Sequence, residues 1–172
     1  MEFMKRFILI ILFPCTACIK QVPVEAPVGR SMSQEELTIS KNRTKSLNLL
    51  EREQIEQWIK LQDKDYYPMT LNYWADVEEL IDQPRRKNGE MVSYQYDIYD
   101  FDNVKMYDQP IIKNNVILGK IEELKPVEDA VRHLYDQTEV TLLVPSALGF
   151  GPQGDADRIP NDMPLIIKLK LR

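Results

Sequence analysis

The sequence predicts an α+β domain in which a mostly antiparallel sheet carries a helix on one face. Three observations carry this reading. Met91 to Tyr99 and Leu165 to Leu171 alternate apolar and polar residues with period two, the pattern of half-buried strands. Val127, Ala130, Val131 and Leu134 fall at i, i+3, i+4 and i+7, the apolar stripe of a short amphipathic helix. The strands are separated by turn signals instead of alternating regularly with helices, which argues against a doubly wound parallel sheet.

The N-terminus reads as an address. Lys5-Arg6 precedes the apolar run Phe7 to Phe13, then Pro14-Cys15-Thr16-Ala17-Cys18. A basic start, a short apolar stretch and small residues before a cleavage point describe a signal peptide over residues 1–17. The apolar run is much shorter than the roughly 20 residues a membrane span needs. Thr16-Ala17 before Cys18 resembles a bacterial lipobox, although Cys15 departs from the aliphatic residue usual there. Cys18 is therefore the expected lipidation site. It implies a membrane partner through a lipid anchor and a folded domain outside the cytoplasm, in the periplasmic cell envelope. The alternative is an ordinary secretory signal with two incidental cysteines.

Residues 18–45 contain Pro23, Pro27, Gly29 and scattered charges without sustained periodicity, and read as a flexible tether. An extension over 46–90 follows. Asn48 and Glu51 have N-cap to N3 spacing, and Ile55, Trp58 and Ile59 continue an amphipathic helix ending before Asp63. Such a helix packs on its own domain or on a partner. Leu71, Tyr73, Ala75 and Val77 share one period-two face, so Thr70 to Leu80 is expected as a strand. Asn88-Gly89 then signals a hairpin turn, with Arg85-Arg86-Lys87 at its solvated tip.

Within 91–172, Met91 to Tyr99 is a strand, Asp100 to Asn103 a turn and Val104 to Tyr107 a short strand. Asp97, Asp100 and Asp102 lack the glycine and late glutamate of a calcium loop, and read as turn residues. The helix runs from Pro126 to Tyr135, with His133 off its apolar stripe and facing solvent. Thr138 to Val144 and Leu165 to Leu171 complete the sheet. Lys168 and Lys170 point outward and discourage edge pairing, with Ile166 on the same outward face.

Several chemistries are excluded. Both cysteines lie in the first eighteen residues and His133 is the single histidine, so the body offers no thiol nucleophile and no multi-histidine metal site. No cofactor and no metal is expected. A net charge of −5 argues against a nucleic-acid partner, which needs a basic face. Gly149-x-Gly151-x-x-Gly154 has the spacing of a dinucleotide fingerprint, but Pro160 and Pro164 forbid the helix such a site requires. Pro152 removes a backbone donor, and Asp155 and Asp157 would repel phosphate. The glycines describe a long structured loop between two strands, not a nucleotide site.

That loop carries a resemblance. "VPSALGFGPQGDADRIPNDMPLIIKLKL" (144–171) resembles the C-terminal signature of the FKBP-type peptidyl-prolyl cis-trans isomerases, in register without gaps. "VEDAVRHLYDQTEVTLLVP" is similar to that family's single helix and following strand. "VSYQYDIYDFDNVKMYD" is similar to its tyrosine-bearing strand and Phe-Asp turn, with about one residue inserted. The likeness covers about Met91 to Arg172. The preceding helix, the Tyr73-Trp74 segment and Cys18 resemble a narrower group, the gliding-motility-associated lipoprotein FKBPs.

The resemblance implies a curved antiparallel sheet wrapped around the short helix. It implies isomerase activity on proline-containing protein clients of the envelope, or a non-catalytic chaperone or scaffold that keeps the fold and binds a partner. Tyr96, Asp108 and Phe150 then take the catalytic positions. Tyr107, Leu124, Val127, Ile159 and Ile167 take the substrate-binding ones, with the Leu124 backbone N–H holding a substrate carbonyl. Val127 stands where the family has tryptophan, Phe150 where it has tyrosine and Ile167 where it has phenylalanine. These departures imply weakened activity and poor binding of macrolide inhibitors.

If Cys18 is acylated, wild-type protein expressed in a bacterial host takes up a labelled fatty acid and Cys18→Ser does not. Equal labelling of the two would restore the ordinary secretory signal.

Overall fold

The computed structural model describes residues 33–80, 84–120, 122–135 and 138–172. The signal peptide, Cys18 and the first part of the tether lie outside the described residues. Six strands form one antiparallel sheet: β1 (Tyr67–Pro68), β2 (Trp74–Ala75), β3 (Met91–Tyr99), β4 (Ile111–Ile117), β5 (Glu139–Val144) and β6 (Leu165–Leu171). Their order is β1-β2-β5-β6-β3-β4. Two helices, α1 (Gln34–Ile59) and α2 (Lys125–His133), pack on opposite faces of it.

The strand β6 pairs with β5 along one side and β3 along the other. Leu165, Ile167, Leu169 and Leu171 face α2, with Val127, Ala130 and Val131 set against them in one continuous core. Ile166, expected outward, is only 1 % exposed. It joins Leu143 and Trp74 beneath Ile55 of α1, in a second, smaller core on the other face. Period-two alternation assumes one solvated face; α1 removes that face at its own footprint. Lys168 and Lys170 do stay exposed, but β6 is internal, so they guard no edge. Lys168 instead lays its ammonium 4.6 Å from the centre of the Tyr99 ring.

The helix α1 begins well before the expected start at Asn48, and residues 34–45 of the expected tether are helical. Ser33 and Glu36 form a capping box: the Ser33 Oγ accepts the Glu36 N–H at 3.2 Å, and the Glu36 carboxylate accepts the Ser33 N–H at 2.8 Å. Over its first turns the helix is mostly polar and exposed, with Leu37 alone half-buried, so no sustained apolar stripe betrays it. Its last turns dock. The Trp58 indole N–H donates to the Phe101 carbonyl at 3.1 Å, and the ring stands edge-on to Tyr66 and Phe101.

Three further expectations change. The 70–80 segment is broken into β2 and a 3₁₀ turn (Glu78–Leu80), with Asn72 at a positive φ of 63°. Tyr73, Trp74, Ala75 and Asp76 are all buried in succession, because both faces are covered here. Val104 to Tyr107 makes one isolated bridge, Lys105 to Tyr99, instead of a strand. Arg86 is no solvated tip: its N–H donates to the Arg132 carbonyl at 2.8 Å and its guanidinium to the carbonyls of Val131 and Leu134. A cation therefore caps the C-terminus of α2, where the dipole and the orphan carbonyls favour it. His133, expected to face solvent, is half-buried at that end.

The strand β4 has no counterpart in the sequence pattern. It lies at the sheet edge, Lys113-Asn114-Asn115 interrupt its apolar run, and its register against β3 shifts between Val92 and Tyr94.

One buried carboxylate joins α1 to the sheet. Glu51, 3 % exposed, accepts the Ser146 N–H at 2.9 Å and the Ser146 hydroxyl at 2.5 Å. Removing it leaves two buried donors unsatisfied. Glu51→Ala is expected to lower unfolding stability by about 1–3 kcal/mol, read as a lower urea midpoint at unchanged slope. Ser146→Ala keeps the backbone bond and should cost less. Equal midpoints for wild type and Glu51→Ala would show that this contact contributes nothing.

Candidate active site

The loop from Pro145 to Pro164 connects β5 to β6 and lies against the α2-side core. Two 3₁₀ turns, Ser146–Leu148 and Gly151–Gln153, give it internal structure. Gly154 adopts φ 64° and ψ −158°, a region open essentially to glycine, and a Cβ there would stand 2.1 Å from the Ile159 carbonyl oxygen. This is the third glycine of the false fingerprint, and its role is a close crossing of loop strands. The Asp155 carboxylate clasps the returning chain, accepting N–H groups of Asp157 at 3.0 Å, Arg158 at 3.0 Å and Ile159 at 2.8 Å. The Asp162 N–H donates to the Gly151 carbonyl at 2.9 Å. These bonds hold Phe150 half-buried against the core.

Seven of the eight expected site residues belong to, or pack against, the main apolar core on the α2 side of the sheet. Tyr96 from β3, Val127 from α2, Ile159 from the loop and Ile167 from β6 are buried in it. Tyr107, Leu124 and Phe150 are half-buried against it, together with Met106, Leu148 and Met163. Val127 and Ile167 are wholly enclosed and present no surface to a ligand; of the seven, Tyr107, Leu124 and Phe150 are the half-exposed ones. Asp108 does not join them. Its side chain is 84 % exposed and pairs with Arg158 at 3.4 Å. Arg158 also donates to the Met106 carbonyl at 3.1 Å and lies 6.0 Å over the Tyr107 ring. It thereby ties the segment 106–108 to the loop.

The partner of Tyr96 is Glu123, a residue the sequence reading missed. The Tyr96 hydroxyl donates to its carboxylate at 2.7 Å, the Tyr94 hydroxyl at 3.0 Å and the Leu124 N–H at 3.0 Å. The two tyrosine rings are stacked 6.4 Å apart. Burial, then the charge of Glu123 and its hydrogen bonds, push both phenols well above the usual tyrosine range. Both therefore act as donors at any physiological pH. The only sequence signal for Glu123 was its place beside Leu124; nothing in a linear pattern brings Tyr94 and Tyr96 to it.

The turn carboxylates behave as turn residues. Asp100 accepts the N–H groups of Asp102 at 2.9 Å and Val104 at 2.7 Å, and Asp97 pairs with Lys105 at 2.9 Å. Among the described residues no group of histidine, cysteine, aspartate or glutamate side chains is arranged to hold a metal.

No family model matches the chain, and no curated protein matches it by sequence. Solved structures do: the fold is that of the FKBP-type peptidyl-prolyl isomerases. A peptidyl-prolyl cis-trans isomerase from Pseudomonas syringae pv. tomato matches with TM-score 0.54 and 17 % identity, over 74 % of this chain and 92 % of that one. FkpA from Escherichia coli matches with TM-score 0.53 and 15 % identity, over 82 % of this chain and 72 % of the other. The N-terminal domain of FKBP42 from Arabidopsis thaliana matches with TM-score 0.51 and 16 % identity, over 64 % and 91 %.

The loop clasp carries a pH signature. Burial alone would raise the Asp155 pKa, but the backbone donors of Asp157, Ile159 and Arg158 together lower it below the usual carboxylate range. A depressed folded pKa contributes stability above the unfolded value, near about 3.9, and that stability is lost as pH falls through the lower folded value. Asp155→Asn keeps an acceptor without the titration. The stability difference between wild type and Asp155→Asn should therefore shrink as pH falls below about 4. A difference constant over that range would remove the clasp from the account.

Proposed function

We propose that the protein is a peptidyl-prolyl cis-trans isomerase that assists the folding of envelope proteins, held at a membrane through acylated Cys18. Its clients would be periplasmic or outer-membrane proteins, including those of a gliding-motility apparatus. The observation that carries the reading is the FKBP-type fold, with Tyr107, Leu124 and Phe150 half-exposed over an apolar core that includes Tyr96, Val127, Ile159 and Ile167.

The reaction suits such a site. Rotation about an X–Pro bond must break amide resonance against a barrier of roughly 18–20 kcal/mol, and unaided it takes about tens to hundreds of seconds. It needs no nucleophile, metal or cofactor. The twisted amide is less dipolar than the planar one, so apolar surroundings favour it relative to water. Phe150 supplies such a surface without the hydroxyl of the tyrosine it replaces. A neutral hydrogen bond is worth about 0.5–1.5 kcal/mol, up to roughly tenfold in rate, and weaker activity follows from its loss.

A second reading, a non-catalytic chaperone or scaffold, is favoured by a groove of about 650 Å³ between α1 and the outer side of the sheet. Leu49, Leu71 and Leu148 line it beside Lys41, Lys45 and Arg52. Apolar surface ringed by cations suits an acidic, apolar segment of a partner protein.

Refolding of a substrate limited by prolyl isomerisation separates the two. The isomerase reading expects acceleration by micromolar protein, reduced about tenfold in kcat/KM by Phe150→Ala and left within about twofold by Asp108→Ala, because Asp108 stands outside the cluster. Absence of acceleration rejects catalysis in favour of the scaffold. Acceleration indifferent to Phe150→Ala moves the site elsewhere.

A further inference from the structure

Glu123 changes what the site can recognise. The Leu124 N–H, the group that the resemblance assigns to a substrate carbonyl, is already bonded to the Glu123 carboxylate. Tyr96, a second expected site residue, donates to the same carboxylate, and so does Tyr94. A carbonyl approaching this point would meet an occupied donor and a like-signed oxygen.

A carboxylate offers about four lone-pair positions, and these three donors fill three of them. Among the described residues no lysine or arginine forms an ion pair with Glu123, although such pairs engage Glu56, Asp76, Asp97, Asp108, Glu128 and Asp129. The residue is half-buried, so its charge is less screened than one on the open surface. Its complement is a cationic donor.

Resting on the isomerase reading, we propose that Glu123 selects the client class: prolines flanked by lysine or arginine, whose cation takes the open position on the carboxylate. The apolar cluster holds the prolyl ring, and Glu123 reads the neighbouring side chain. The tyrosines keep the carboxylate in place.

The test compares peptides Ala-X-Pro-Phe and Ala-Ala-Pro-X with X lysine, leucine or glutamate. Isomerisation is followed by exchange NMR and binding by titration of the same peptides. Wild type should favour lysine over leucine by about tenfold in kcat/KM on at least one side of the proline, and should disfavour glutamate. Glu123→Gln keeps acceptor capacity for the tyrosines and should level the series. Glu122→Gln, at the exposed neighbour, makes the same change in net charge and should leave the preference intact. That separates a local contact from attraction by the whole acidic protein. Equal treatment of the three peptides by wild type overturns the inference, as does a preference that survives Glu123→Gln. If wild type isomerises none of the peptides, the isomerase reading fails. Titration then decides the inference: lysine-selective binding lost in Glu123→Gln upholds it, and unselective or absent binding overturns it.

Discussion

The first residues of β6 are buried on both faces, and the rest of the molecule is arranged around that fact. Leu165 and Ile167 face α2 while Ile166, between them, faces α1. Burial of apolar area is non-directional and scales roughly with the area removed from water. A strand with two apolar faces therefore requires two covers. The pairing of β6 with β5 and β3 satisfies its backbone and carries the same burial into Leu142, Leu143 and Ile98. The short helix α2 covers one side and the docked end of α1 the other.

The candidate site sits on the side of α2 and inherits its rigidity from this arrangement. The loop that carries Phe150 is anchored at both ends by strands, crossed by Gly154 and clasped by Asp155. Its root is reached from the other face, where Glu51 of α1 bonds Ser146 at the start of the loop. The two layers are thus linked by hydrogen bonds at the base of the loop. A change in how α1 docks would be felt there first, because the buried carboxylate and its two donors satisfy one another.

The site also departs from a purely apolar pocket. Glu123, Tyr94 and Tyr96 put a hydrogen-bonded carboxylate at its edge. Partial burial makes that group more consequential than a surface charge, and its three donors hold it in position. Hydrophobic surface and one oriented charge are the usual division of labour between affinity and orientation in a binding site.

Much of this was legible in the linear pattern. The stripe of Val127, Ala130, Val131 and Leu134 specified α2, alternation specified β3 and most of β6, and Pro160 and Pro164 separated a structured loop from a nucleotide-binding turn. These are local signals, because backbone periodicity and the conformational limits of glycine and proline act within a few residues. The extended start of α1 was announced only by its capping box, Ser33 and Glu36, since a mostly exposed helix shows no sustained stripe. Tertiary structure alone decided that Ile166 is covered, that Arg86 caps α2, that Asp108 faces solvent and that Glu123 meets Tyr94 and Tyr96. Each of these depends on which distant element occupies a given face or end. A sequence records whether a face is apolar; what lies against it is set by the long-range packing that buries the most surface and leaves the fewest polar groups without partners.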